Sequence, residues 1–150
     1  MSSWEESIGR SLATIRSRER AARGCGESEI REIERRSGGK LPDAYAAFLR
    51  AVGSSAGDFL RGSQFDLEFL RGTVEEDFAE LLEEDGVDPL PSHGFIFFDH
   101  QGYQFFWFNL GAGPDPEVFH YSTTTKSHRT VAPSFSRWLE QRIESEYGVA

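Results

Sequence analysis

The sequence predicts an α+β fold in which an antiparallel sheet, a meander, is flanked by helices. Two observations carry this prediction. Two runs of aromatic residues, 95–99 and 104–109, flank a short loop with a glycine, as the strands of a β-hairpin do. Five other segments repeat apolar residues every three or four positions, as amphipathic helices do. The predicted order is helices, strand, helix, meander, helix.

Three helices are predicted in the N-terminal third. The first, over residues 3–20, has an apolar stripe and an arginine-rich opposite side. The second covers residues 29–36, with Ser28 as its N-cap, because serine oxygens accept hydrogen bonds from the first turn. The third begins at Leu41-Pro42, since proline suits the first turn of a helix, and it ends at Gly53.

The middle of the chain predicts a strand and then a helix. Residues 64–70 alternate apolar and polar side chains, which is typical of a half-exposed strand. Residues 74–85 follow as a helix, apolar on one side and acidic on the other. A break rich in glycine and proline separates this helix from the aromatic hairpin.

The aromatic hairpin is apolar on both faces. Strict alternation along its first strand puts Phe95 and Phe97 on one face, and Ile96 and Phe98 on the other. A ribbon of this kind must be covered on both sides or keep one side for a partner. The predicted connection is the four-residue stretch 100–103.

The last third predicts one more strand and a closing helix. In the strand over residues 117–121, Val118 and His120 face one way and Phe119 and Tyr121 the other. Residues 123–129 are polar and are expected to be exposed. A helix capped by Ser134 then runs to about residue 147. The prediction is a single domain over residues 1–150, with a core at about 27–147 and an added N-terminal helix at about 3–23.

The formal net charge of −9 is concentrated in the middle of the chain. Residues 41–90 hold twelve acidic and three basic side chains. Such a field repels nucleic-acid phosphates and attracts basic surfaces, although it also suits a solvated helix face. The chain lacks both the apolar centre of a signal peptide and an apolar run long enough to cross a bilayer, and its single Cys25 forms no intramolecular disulfide. A reduced, cytoplasmic setting is therefore expected.

No residues are predicted to be catalytic, to bind a cofactor or to bind a metal. The four histidines have no metal-ligand spacing, and GxSxG and phosphate-loop patterns do not occur. His100 is expected in the hairpin turn, and His120 on the sheet surface. Asp99 is the one carboxylate expected to be partly buried, most simply through a hydrogen bond to the turn backbone. Cys25 is interpreted as an incidental surface cysteine.

Several motifs together resemble the SMI1/KNR4 (SUKH) superfamily over about residues 29–140. A helix start and an aromatic hairpin followed by a third strand carry most of the resemblance. The residues are Ile30, Ile33 and Glu34; Leu41, Pro42, Tyr45, Phe48 and Leu49; Phe97 to Phe108, with His100, Gln101 and Gly102; Pro116, Val118, Phe119 and Tyr121; and Ser134, Phe135, Trp138 and Leu139.

This resemblance implies a curved antiparallel sheet with helices around it and a non-enzymatic role. Bacterial members of the superfamily look mostly like immunity proteins that bind and neutralise a cognate toxin, often a nuclease or deaminase. The expected partner is therefore a protein, a basic toxin domain, rather than a nucleic acid or a membrane. The acidic segment and one aromatic anchor supply the candidate contacts, which are Asp58, Asp66, Glu68, Glu75, Glu76, Asp77, Glu80, Glu83, Glu84 and Tyr103.

Two alternatives stay open at this level. One is a regulatory interaction scaffold without a toxin partner. The other is an enzymatic or small-ligand cleft beside Asp99, His100 and Tyr121, which requires a deep pocket with buried ionisable groups.

Overall fold

A computed structural model describes residues 3–148, and within this range it has six helices and one five-stranded sheet. The chain order is α1 Ser3–Arg18, α2 Glu27–Ser37, α3 Asp43–Val52, β1 Ser63–Gln64, α4 Leu67–Leu70, α5 Val74–Glu84, β2 Gly94–His100, β3 Gln104–Asn109, β4 Val118–Ser122, β5 Ser127–Ala132 and α6 Phe135–Tyr147. None of these helices combines the length and the apolar character that a bilayer span needs.

The five strands lie in the sheet in their chain order, β1-β2-β3-β4-β5, and every neighbouring pair is antiparallel. The predicted α+β class, with a meander flanked by helices, is therefore confirmed. Helices α1, α2, α3 and α6 supply the core on one face of the sheet. Helix α5 and the segment after it cover the other face.

Tyr45 of α3 lies at the centre of the larger core. Its ring centroid is 5.2 Å from that of Phe108, 5.4 Å from Phe135 and 5.6 Å from Phe95. Edge contacts between such rings add to the stabilisation that burial itself provides. Helix α3 is thus the element on which the aromatic hairpin and α6 both pack.

A β-bulge at Phe97 corrects the predicted faces of the hairpin. Ile96 pairs with Trp107 and Phe98 pairs with Phe106, so that Phe97 is the extra residue on its strand. A bulge places two residues opposite one and shifts the alternation that follows it. Phe98 therefore joins Phe97 in the larger core, where their rings lie 5.4 Å and 4.9 Å from Trp138. The prediction that Phe98 shares a face with Ile96 is wrong.

The hairpin loop is one residue shorter than predicted. His100 pairs with Gln104 at the end of the strands, which leaves Gln101, Gly102 and Tyr103 as the connection. Gln101 and Gly102 have φ of 56° and 81°, and only glycine takes such values without steric cost. The expectation that His100 lies in the turn is corrected accordingly.

The segment predicted as a strand over residues 64–70 is mostly helical. Only Ser63 and Gln64 pair, with His100 and Asp99, and the single turn α4 follows. The Asp66 side chain accepts a hydrogen bond from the backbone N–H of Phe69 at 3.0 Å, which is the geometry of an N-cap. A hydrogen bond from an aspartate side chain to the nearby backbone favours a helical turn over an extended strand. Here this local preference outweighs the alternation of apolar and polar residues.

Two further predictions need correction. Residues 127–132 form the edge strand β5, which pairs with β4 although most of its side chains are polar. Helix α2 begins at Glu27, and its N-cap is Gly26 rather than Ser28. The Glu29 carboxylate accepts a hydrogen bond from the Gly26 N–H at 2.8 Å. The Ser134 cap of α6 is confirmed, since its hydroxyl accepts from the N–H of Arg137.

Candidate functional site

Helix α5 is the most acidic element of the structure, and its position follows from its apolar side. Phe78 and Leu82 are buried against the sheet, and the ring centroid of Phe78 lies 4.5 Å from that of Phe105. With this side fixed, the period of 3.6 residues turns the carboxylates outward. The exposed ones are Glu75, Glu76, Asp77, Glu80, Glu83 and Glu84.

The carboxylates of α5 are not neutralised by the basic residues near them in sequence. Arg71 pairs with Glu32 of α2 at 2.7 Å, and Arg50 binds Glu27 of the same helix. Arg61 lies 3.8 Å from Asp58. Across residues 3–148, no ion pair involves a carboxylate of α5. The outer side of α5 therefore presents its full negative charge to solvent.

A groove of about 370 Å³ runs beside α5, and we call it the α5 groove. It lies between this helix, the end of α4 and the turn of the aromatic hairpin. Apolar side chains and carboxylates both line it, and the principal ones are Phe69, Val74, Leu81, Asp77, Glu80, Glu84 and Asp99. Such a combination suits a ligand that carries a positive charge on an apolar stem.

Asp99 is the buried carboxylate of the α5 groove, with only 8% of its surface exposed. Its Oδ1 accepts a hydrogen bond from the N–H of Gly102 at 2.9 Å, as the sequence predicted for a turn. Burial raises the pKa of Asp99, while the Gly102 hydrogen bond and nearby His100 act in the opposite direction. A cation that entered the groove would stabilise this carboxylate.

The remaining candidate contacts are dispersed. Glu68 of α4 and Asp58 are exposed, and the backbone N–H of Asp58 donates to the carboxylate of Glu19, just after α1. Asp66 is half-buried as the cap of α4, which corrects its predicted place on the solvent face of a strand. Tyr103 is 37% exposed in the hairpin turn, next to Gly102 at the margin of the α5 groove.

The structure does not bring Asp99, His100 and Tyr121 together in one cleft. Asp99 and Tyr121 lie on the same face, but each pairs with Phe105, whose buried ring separates them. The Tyr121 hydroxyl donates to Asp85 at 2.5 Å. Burial, followed by this hydrogen bond to Asp85, raises the pKa of Tyr121. His100 instead lies beside Ser63, with 2.9 Å between Nδ1 and the serine oxygen.

Cys25 is buried, with 7% of its surface exposed, and its predicted surface position is therefore wrong. Its backbone N–H donates to Leu49 of α3, and burial raises the pKa of its thiol. Gly53 comes so close that a Cβ at this position would lie 2.6 Å from the Cys25 sulfur. The thiol thus fills the joint between α3 and the loop before α2, where its reactivity is suppressed.

Metal ligation has no obvious basis in the part of the chain described. Residues 3–148 contain no group of three or more His, Cys, Asp or Glu side chains arranged to hold an ion. The imidazole of His128 is engaged in the sheet, where its Nδ1 accepts a hydrogen bond from the Trp107 indole N–H at 3.1 Å. That bond ties two strands of the sheet together.

The fold and these motifs define a known class of protein. The family model described as SMI1-KNR4 cell-wall, one of the SUKH families, matches residues 27–139. Because the match covers most of the chain, this protein belongs to that SMI1-KNR4 family, and the predicted resemblance is confirmed. No curated protein matches the chain.

The sequence predicted the acidic outer side of α5 but did not predict the α5 groove beside it. The groove exists because α4 turns Phe69 toward α5 and because the hairpin brings Asp99 and Gly102 to the same place. The one available signal was the Asp-Leu-Glu-Phe stretch at 66–69, which also reads as an N-cap followed by a helical turn.

Proposed function

We propose that this protein is a non-enzymatic protein-binding module, an immunity protein that neutralises a cognate bacterial toxin by covering it. The toxin would be a basic domain of the nuclease or deaminase class. The observation that carries the proposal is the row of carboxylates on α5 that form no ion pair within residues 3–148 and lie beside the α5 groove, in a member of the SMI1-KNR4 family. The candidate contacts centre on Asp77, Glu80 and Glu84, with Tyr103 at the margin.

Electrostatics support a basic partner. Enzymes that act on nucleic acids present basic clefts to phosphate, and a negatively charged surface can occupy such a cleft. Complementary charge also accelerates association, which suits an inhibitor that must act before its target does. Since no arginine or lysine of the described chain pairs with α5, a basic partner would meet this charge undiminished.

The buried carboxylate supports a specific contact rather than a diffuse attraction. Asp99 is desolvated, and a single hydrogen bond is formed to its side chain among residues 3–148. A buried ionisable side chain that destabilises the fold and lies in a groove is typical of a binding site. An arginine of the partner could place its guanidinium against Asp99 and its methylenes against Phe69 and Leu81.

The experiment is to measure the affinity for the toxin domain encoded beside this gene, as a function of salt. The double charge reversal Glu80→Lys with Glu84→Lys is expected to weaken binding by roughly 1–3 kcal/mol, mainly through slower association. Affinity for the unchanged protein should fall as salt rises, because exposed charges are screened.

The matched control is Glu144→Lys with Glu146→Lys, which reverses two exposed carboxylates on α6. This control should bind as the unchanged protein does. Equal loss in both double variants would show only a general effect of net charge and would contradict the α5 surface. A gene neighbourhood without any toxin would favour the regulatory scaffold instead.

A further inference from the structure

A second polar groove lies on the opposite face of the sheet, between α6 and strands β3, β4 and β5, and we call it the α6 groove. Its volume is about 490 Å³. The polar side chains that line it are Gln104, His120, Arg129, Thr130, Gln141 and Arg142, together with Trp138. Among residues 3–148, no carboxylate lines it, although the chain as a whole carries a net charge of −9.

Two arginines of the α6 groove have no counter-ion in the described part of the chain. Neither Arg129 nor Arg142 forms an ion pair with any residue in the range 3–148. Arg142 is half-buried, and burial lowers its pKa without a compensating carboxylate. A guanidinium stays charged in proteins, and a desolvated charge is normally paired. Arg142 is therefore a cation that lacks the partner its environment calls for.

Two buried hydrogen-bond donors at this place are also unused. The Nε of Arg142 and the indole Nε1 of Trp138 are buried without an acceptor in the described chain. Trp138 is only 2% exposed, and its ring lies 5.4 Å from Phe106 in the sheet. Because an unsatisfied buried donor is costly, each such group calls for an explanation.

His120 links the two arginines. It pairs with Arg129 across β4 and β5, and its Nε2 lies 2.6 Å from Gln104 Oε1. Burial lowers the pKa of His120, and the charges of Arg129 and Arg142 lower it further. The α6 groove is lined by all three side chains, so the imidazole of His120 shares this site with both arginines.

We propose that the α6 groove binds an oxyanion, a phosphate or carboxylate group of a ligand, between the guanidinium groups of Arg129 and Arg142. Guanidinium matches both oxyanions through paired N–H···O bonds. The indole N–H of Trp138 would be a third donor. This site lies across the sheet from the α5 groove and differs from it in charge, so it does not depend on the proposed toxin contact.

The test is a nuclear magnetic resonance titration of the whole protein with inorganic phosphate, and separately with acetate, against chloride at equal ionic strength. The phosphate arm represents a phosphate-bearing ligand and the acetate arm a carboxylate. Binding should shift the indole N–H resonance of Trp138 and leave that of Trp107 unchanged, because Trp107 already donates to His128. It should also raise the pKa of His120, since an anion stabilises the imidazolium form.

Two variants and one control test the assignment. Arg142→Gln is expected to weaken binding roughly tenfold or more, because charge-assisted hydrogen bonds are lost. Arg129→Gln, at an exposed position, provides a second variant that keeps the fold should Arg142 prove essential to it. Arg137→Gln is the matched control on α6, since Arg137 is exposed and pairs with Glu140.

Saturable binding of either anion that is lost in Arg142→Gln or Arg129→Gln and kept in Arg137→Gln supports the site. The preferred anion then identifies the ligand group. The proposal is overturned if neither anion shifts Trp138, or if all three variants bind equally. Because no toxin is used, this outcome is independent of whether the protein neutralises one.

Discussion

At the scale of single residues, Asp99 shows that a buried carboxylate can lower the stability of the fold. Its carboxylate is buried among aromatic side chains, and one backbone N–H bonds it. The turn of the hairpin requires a hydrogen-bond acceptor at residue 99, and an uncharged oxygen would serve as well as a carboxylate. The charge is therefore unexplained by folding, which is why Asp99 matters for the proposed function.

We predict that Asp99→Asn is more stable than the unchanged protein at neutral pH. Because the pKa of Asp99 is raised in the folded state, ionisation opposes folding, and stability is gained as pH falls through that pKa. The amide keeps an oxygen for Gly102 without the charge. The advantage should shrink toward the unfolded pKa of about 3.9.

Urea unfolding at several pH values measures this difference, with the exposed Asp88→Asn as control. Lower stability of Asp99→Asn at neutral pH would contradict the prediction. Such a result would mean that the ionised carboxylate stabilises the fold.

Gly53 shows how close packing restricts the side chain at a single position. A Cβ at Gly53 would lie 2.6 Å from both the Cys25 sulfur and the Leu49 carbonyl oxygen. We predict that Gly53→Ala destabilises the protein by about 1–3 kcal/mol, as overpacking does. Gly9→Ala is the matched control, because nothing lies within 4 Å of its Cβ and alanine favours helix α1 by about 0.5–1 kcal/mol. Thermal unfolding of both variants should show shifts of opposite sign.

At the scale of elements, N-terminal capping determines where helices begin and which conformation short segments adopt. In α2, the Glu29 carboxylate bonds back to Gly26, and in α6 the Ser134 hydroxyl accepts from the first turn. In α4, Asp66 does the same and converts an apparent strand into a helical turn. That turn carries Phe69 to the α5 groove, so a local hydrogen bond shapes the candidate site.

The cap predicts a specific mutational outcome. Asp66→Ala should lower the free energy of unfolding by about 1 kcal/mol, because the N–H of Phe69 loses its acceptor. Glu68→Ala, at an exposed neighbour with no ion pair to another described residue, should change it little. Chemical denaturation compares the two variants. Equal effects of both would argue that the Asp66 contact is not a cap.

At the scale of the whole molecule, helix α1 belongs to the same core as the segment matched by the family model. The match begins at residue 27, yet Ile8 and Ile15 of α1 are buried and α1 packs against α3 and α6. The hydroxyl of Tyr147 at the end of α6 also donates to Glu19, just after α1, at 2.7 Å. The family-matched region thus relies on an additional helix for part of its packing.

We predict that Ile15→Ala destabilises the protein by about 2–5 kcal/mol, since a fully buried side chain leaves a cavity. Leu12→Ala, on a half-buried residue of the same helix, should cost clearly less. Both values come from urea unfolding with one probe in α1 and one in the sheet. Separate transitions for the two probes would contradict a shared core.

Local sequence patterns account for much of what could be predicted from the sequence. The helices α1, α3, α5 and α6 follow from apolar periodicity and from caps such as Ser134, and the acidic side of α5 follows from that same periodicity. These signals act within a few residues, so they are visible without the fold. The family motifs added the expectation of a curved sheet with helices around it and of a protein partner.

Tertiary contacts decided the rest. The bulge at Phe97, the polar edge strand β5 and the burial of Cys25 depend on which distant segment lies alongside, and no local rule encodes that. The same holds for both grooves, because Asp99 and α5 line one groove, and Arg142 and Arg129 the other, only after the sheet has formed. Composition therefore determined the kinds of surface this protein carries, while long-range packing determined which of its charges stand without partners.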